Sequence, residues 1–306
     1  MESWKRSPLV FAILALPATF WLVVFFLLPL GFVWILSFGE KTSLVDVEIT
    51  WTLANYWRAL DTIYLEIIWK SVWISALATL LCLAVAYPIA FLISFLSPRM
   101  KLLMLMAIIM PFWINMLIRT YALIAVLRRN GYVNFIAEWL WNKANLVLSA
   151  VGLGEYHLLG EKFEPLPLIY NNFSLMVGLV YVFLPFMVLP LYATIERLDK
   201  SYLEASLDLG ASQFRTFVSV TLPLTMPGVV SGVILVFIPC LGSFLIPDLL
   251  GGTNAQMIGN VITRQFKQAN DWPFGSALSF LLMYVTFGAL ALRAFFAARG
   301  ARRTEE

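Results

Sequence analysis

The chain has 306 residues, 61% of them hydrophobic and 13% charged, with mean hydropathy +0.84 and a net charge of +3. A soluble domain carries about 25% charged residues, so this composition is built for lipid, and the small positive balance offers nucleic acid no basic footprint. Two cysteines (Cys82, Cys240) inside apolar runs and one histidine (His157) form no disulfide framework and no metal site.

Taken in order, residues 1–8 are short and hold Lys5 and Arg6, and residues 9–38 then run apolar with Pro17 and Pro29 inside. A secretion signal has an apolar core of about 7–15 residues, so this longer run reads as a retained signal anchor. Apolar segments follow at 71–96, 102–127, 173–195, 224–250 and 276–298. Each meets the roughly 20 residues needed to cross the hydrocarbon, which predicts an all-α membrane protein with six transmembrane helices in a single domain, 1–306. With the amino terminus inside, eleven of the 21 Lys and Arg residues fall in short inner segments. Nine more are spread over the long outer loops, and Arg119 lies within a span. Both termini and the loop 196–223 are therefore expected in the cytoplasm, and the loops 39–70, 128–172 and 251–275 outside.

In the middle outer loop Tyr132, Phe135, Ile136, Trp139 and Leu140 recur at helical spacing, which predicts a helix along the membrane surface. It serves either a docking partner or an aromatic belt at the headgroups. In the third span Phe112, Asn115 and Arg119 share a helix face just after Pro111. Arg119 lies roughly 12 Å from the outer end, as an interhelical anchor or a path-lining cation. Trp113 and Asn115 are pathway candidates, by cation–π contact and hydrogen bond respectively.

Taken as a helix at 100° per residue, the fifth span stacks Phe237, Leu241, Phe244 and Asp248 on one face, while Pro239, Gly242 and Pro247 interrupt it, an irregularity tolerated where backbone faces protein or a cavity. In one reading Asp248 attracts a cation at the outer mouth while Phe237 and Phe244 form an apolar closure beneath it. In the other, Asp248 caps the Gly251-Gly252 turn and the phenylalanines are packing. Gly228 and Gly232 permit close helix approach, to a partner or within this chain. With Asp248 at the outer end of the fifth span, the outer side holds eleven acids against nine bases, a slight lean toward a cationic solute.

The loop 196–223 is the most informative stretch. Ser201-Tyr202-Leu203-Glu204 has the form of a capping box, Lys200, Glu204 and Asp208 fall four apart, and Gly210 ends the helix. Ser212 can cap a second short helix carrying Phe214, Phe217 and Val218, and Pro223 marks a new start. Glu204-Ala205-Ser206, three residues, Gly210, nine residues, then Val220-Thr221-Leu222-Pro223 resembles the signature loop of binding-protein-dependent ABC importer permeases. Ser206 stands for the pattern's second alanine and Val220 for its isoleucine.

Met110-Pro111-Phe112-Trp113-Ile114-Asn115, Leu117-Ile118-Arg119-Thr120-Tyr121, Leu184-Pro185-Phe186-Met187 and Asp271-Trp272-Pro273-Phe274-Gly275 are similar to the first permease subunit of spermidine/putrescine importers. The resemblance implies a type I importer permease fold in a bacterial inner membrane. It also implies a periplasmic binding protein that delivers polyamine, a non-identical second permease and two ATPase subunits. Glu204, Ala205, Asp208, Gly210 and Pro223 are then the residues coupling this chain to the ATPase. No catalytic residue, cofactor or metal is expected here, since the chain has neither a phosphate-binding Gly-x-x-x-x-Gly-Lys-Ser/Thr loop nor a Gly-x-Ser-x-Gly elbow. Relatives handling other organic cations or opine-like solutes share much of the pattern. A stand-alone secondary transporter would show inverted repeats and paired intramembrane acids, and an intramembrane enzyme a nucleophile with its base.

Overall fold

Long apolar runs can satisfy their backbone groups in lipid only within themselves, and the chain is accordingly almost all helix. The computed structural model describes residues 8–43, 46–150, 162–199, 201–252 and 255–303. Lys5, Arg6, Glu155, His157, Glu161 and Lys200 lie outside these, so the expected alignment of Lys200 with Glu204 and Asp208 is not described. By contact the chain groups into two compact units, Met1–Glu66 with Val261–Glu306, and Ile67–Asn260.

The first unit begins with α1 (Pro8–Leu22), a π-turn (Val23–Leu27) and α2 (Leu28–Leu36). Proline lacks an N–H and its ring crowds the carbonyl four residues earlier. The wider turn, in which Leu28 N–H reaches back to Val23 O, lets the chain pass Pro29 without ending the helix. Phe11, Trp21, Phe25 and Phe32 face outward, as a lipid-bathed helix allows. A two-stranded antiparallel hairpin of β1 (Gly39–Lys41) and β2 (Val47–Ile49) comes next, a departure from the all-α reading. Asn55 of α3 (Ala54–Ala59) secures it by donating to Ser37 O and Gly39 O. The Arg58 guanidinium pairs with Asp271 at 2.8 Å and lies 3.9 Å over Phe274 of α14 (Trp272–Arg303).

The second unit holds most of α4 (Thr62–Ser94), then α5 (Pro98–Ile109), a 3₁₀ turn (Met110–Trp113), α6 (Met116–Leu127) and α7 (Tyr132–Ala150). After these come α8 (Asn172–Ile195), α9 (Ser201–Asp208), α10 (Gln213–Thr216), a second π-turn (Phe217–Thr221), α11 (Leu222–Leu241) and α12 (Leu245–Leu250). The last helix to begin here is α13 (Ile258–Lys267). α8 is the centre of this unit. It starts on a capping box between Asn171 and Ser174 and buries Leu175, Leu179, Met187, Val188 and Leu191. Its largest neighbour is α11, whose Gly228 and Gly232 face Pro190, Thr194 and Met187. The Gly-x-x-x-Gly spacing thus serves packing within this chain. Tyr132, Phe135, Ile136, Trp139 and Leu140 do form one helix, α7, and all five are exposed.

Among the described residues four helices are long and apolar enough to cross a membrane: Leu14–Leu36, Thr62–Ser94, Asn172–Ile195 and Gln213–Leu241. The stretch expected as the third span is instead a pair, Pro98–Trp113 and Met116–Leu148, bent by 99°. Pro111 removes one helical bond, and Ile114 (ψ 134°) and Asn115 (ψ 135°) leave helical conformation altogether. The sixth span was expected at 276–298, and the apolar stretch Trp272–Gly288 there opens the long helix α14.

Candidate functional site

The joint at 201–221 is built by local chemistry. α9 begins on Ser201 itself, so the expected capping box is displaced. Asp199 Oδ1 accepts the Ser201 N–H at 3.0 Å, and this bond holds the Asp199 carboxyl below its ordinary value. α9 ends in a Schellman motif: Ala211 N–H bonds to Ser206 O at 3.1 Å and Gly210 N–H to Leu207 O at 2.9 Å, with Gly210 at φ +81°. Ser212 then caps α10 by accepting the Arg215 N–H at 3.3 Å, as the sequence predicts.

Pro223 does not force a new start. The helix runs unbroken from Gln213 to Leu241 because the π-turn widens just ahead of the proline, as it does ahead of Pro29. Glu204, Ala205, Asp208 and Gly210 are exposed. So are Leu209 (89%) and Phe214 (78%), an apolar exposure that marks a surface meant to be covered. Against α9 lies a cavity of about 470 Å³ whose lining includes Phe91, Phe95, Leu203, Glu204, Leu207 and Phe217.

The pathway candidates are placed differently from the sequence reading. α11 stops at Leu241: Pro239 removes a helical bond, Gly242 ends the helix, and Asn260 donates to Phe244 O at 2.9 Å across the gap. Phe237 therefore stays on α11, Phe244 becomes the residue preceding α12, and Asp248 sits exposed in the first turn of α12, its N–H bonded to Phe244 O. The single-face stack of Phe237, Phe244 and Asp248 is not formed. Nor does Asp248 cap the Gly251-Gly252 turn, where Gly251 N–H bonds to Pro247 O.

At the other break Asn115 is engaged as a cap, its Oδ1 accepting the Leu117 N–H at 2.8 Å, while Trp113 stands 85% exposed. A continuous helix face does not join Phe112, Asn115 and Arg119, yet the bend brings two of them together. The Arg119 guanidinium lies 5.5 Å from the Phe112 ring, which packs edge-on against Phe186 of α8 at 4.8 Å. Arg119 is 7% exposed, and its Nε and Nη1 have no hydrogen-bond partner among the described residues. It is therefore not an ion-pair anchor in this conformation. A buried, unpaired cation costs several kcal/mol. Arg119→Met is accordingly expected to raise the unfolding temperature of the purified protein in detergent; a lowered midpoint would mean that the guanidinium has a stabilising partner.

The break at 114–115 escaped the sequence reading, where Pro111 was the available signal; the break at 242–244 falls among Pro239, Gly242 and Pro247, which interrupt the predicted fifth span.

The chain matches the description "binding-protein-dependent transport system inner membrane component" over residues 7–299. It belongs to that family. The family is a transporter membrane component, and the permease is a multi-pass membrane protein. The spermidine/putrescine transport system permease protein PotB of Escherichia coli is 40% identical over 265 residues, covering 87% of this chain and 90% of that one. Its counterpart in Haemophilus influenzae is 37% identical over 259 residues, covering 85% and 84%. The inner membrane ABC transporter permease protein YdcU of Escherichia coli is 31% identical over 286 residues, covering 90% and 86%. Among solved structures, a chain of a bacterial ABC transporter importing the acidic polysaccharide alginate matches with TM-score 0.62 at 17% identity, covering 99% of the permease and 98% of that chain. At that identity the likeness speaks for the fold alone.

Proposed function

We propose that this permease is the membrane subunit of an ATP-driven importer that moves spermidine and putrescine, delivered by a periplasmic binding protein, across a bacterial inner membrane. The observation that carries this reading is the helix–Gly210–helix joint, with Leu209 and Phe214 exposed, in a chain 40% identical to a spermidine/putrescine permease. Here the fold is the type I permease bundle, with six spans and both termini cytoplasmic. One such bundle with one joint makes half of a two-fold pathway. A second, non-identical permease supplies the other half, and two ATPase subunits dock on the joints through Glu204, Ala205, Asp208, Gly210 and the turn ahead of Pro223.

The experiment is purification of the tagged permease from its native membrane, reconstitution into liposomes, and ATP-dependent uptake with spermidine, putrescine and an opine compared. Co-purifying ATPase and polyamine-selective uptake are expected. A functional oligomer of this chain alone, or transport without ATP, would overturn the reading.

Within it, the solute path is proposed to run past the broken backbone at membrane depth, which is tolerated where it lines a cavity. Trp113 offers a π face and Asp248 a charge; Phe237 and Phe244 supply the apolar closure, and Asn115 acts by fixing the bend. Asp248→Asn is expected to raise the KM for polyamine uptake about tenfold with little change in assembled complex, in line with loss of one partly screened charge contact. Unchanged KM in proteoliposomes would remove Asp248 from the path.

A further inference from the structure

Two hydroxyl pairs, linked by an aromatic contact, tie the two helices of the joint to each other and to α4. Ser206 Oγ on α9 lies 2.9 Å from Thr216 Oγ1 on α10, where Thr216 is buried. The next residue, Phe217, opens the π-turn and sets its ring edge-on against Tyr87 of α4, with centroids 5.3 Å apart and planes at 86°. Tyr87's hydroxyl is 2.8 Å from Thr225 Oγ1, and Thr225 Oγ1 also lies 2.8 Å from Thr221 O. A hydroxyl has one proton to give. Thr225 spends it on the Thr221 carbonyl, so Tyr87 donates into Thr225. Tyr87, Thr221 and Thr225 are all buried, where a hydroxyl without a partner is costly and geometry is correspondingly fixed.

α10 continues through the π-turn into α11, so displacement of the joint reaches α11 along its own backbone. α4 has no such covalent route. We propose that Ser206, Thr216, Tyr87 and Thr225 are positioning residues that make α9 and α10 move as one piece and carry that movement across to α4. The proposal rests on the reading of the joint as the ATPase-coupling element. Ser206 stands where the signature pattern has alanine, so the α9–α10 bond is a property of this chain's own sequence.

The test uses the complete reconstituted complex and reads ATP hydrolysed per polyamine taken up. Stimulated hydrolysis with uptake in the unmodified complex tests the functional reading by itself, and its failure would be seen there, before any variant is made. Tyr87→Phe keeps the ring against Phe217 and removes only the hydroxyl; Ser206→Ala restores the pattern's residue and removes the bond to Thr216. Each is expected to leave ATP hydrolysis running while uptake falls, raising the ratio about fivefold, the worth of one buried hydrogen bond. Thr225→Ser, which retains a hydroxyl, is expected to keep the normal ratio, and Thr225→Val to behave as Tyr87→Phe. A normal ratio in Tyr87→Phe and Ser206→Ala, or parallel loss of hydrolysis and uptake in both, overturns the proposal, because a merely structural role moves the two activities together.

Discussion

Gly228→Leu is expected to abolish the folded permease, seen as loss of the monodisperse peak in detergent and of a cooperative unfolding transition. A Cβ at Gly228 would lie 2.5 Å from Thr194 Oγ1 and 2.9 Å from the Pro190 carbonyl oxygen, both on α8. Thr194 cannot simply swing aside, since its hydroxyl is bonded to that same carbonyl at 2.9 Å. The added side chain must therefore push α11 away from α8 along the largest helix–helix contact of this unit. Overpacking of this kind costs about 3 kcal/mol, and in lipid no hydrophobic force compensates for helices held apart. Gly228→Ala should fall between, with a midpoint lowered by several degrees. Gly232→Ala should be milder still, because the nearest obstacle, at 2.5 Å, is the Met187 sulfur, the adaptable end of a flexible side chain. If Gly228→Leu unfolds at the same temperature as the unmodified protein, the α8–α11 distance is not set at this glycine.

At Gly210 the expected outcome is a graded loss of ATP-driven uptake with the protein still folded. A Cβ there would meet nothing within 4 Å, so steric fit is not the issue. The left-handed backbone at φ +81° is. An L-residue pays about 1–2 kcal/mol in this conformation, a β-branched one more, and asparagine least. The series Gly210→Asn, Gly210→Ala, Gly210→Val should therefore keep most, some and almost none of the uptake rate in proteoliposomes, with unfolding midpoints of the isolated permease lowered in the same order by only a few degrees. Equal uptake across the three would show that the turn between α9 and α10 bears no part in coupling.

Much of the bundle was legible because lipid forces a simple rule: apolar runs become helices, and the run lengths place them. The joint was legible for a different reason. Gly210 and Ser212 are residues whose backbone and side-chain chemistry dictates a helix end and a helix start, and both act as read. The breaks were not legible in the same way. Pro239 and Gly242 interrupt the predicted fifth span, but proline inside a helix can kink, widen or end it, and only tertiary partners decide which. At 242–244 Asn260 reaches in and stabilises an ending; at Pro223 a π-turn stabilises continuation. Asp248 and Phe244 were assigned to the wrong face through that ambiguity. Arg119 could be recognised as deep and unusual from sequence, but that its guanidinium would find a ring and, among the described residues, no carboxylate depended on the fold of the bend.

The widened turns ahead of Pro29 and Pro223 set the phase of the helices beyond them. Five residues there span what four would in a regular helix, so the stripe of side chains below the turn is rotated by about 100° against the stripe above it. Counting in steps of 3.6 across residues 217–221 therefore assigns the wrong side of the helix to bilayer and neighbours. A π-turn and an α-turn differ by one residue of winding, so the direction in which α10 presents its side chains is set by this one turn and not by the apolar stripe of the span beyond it.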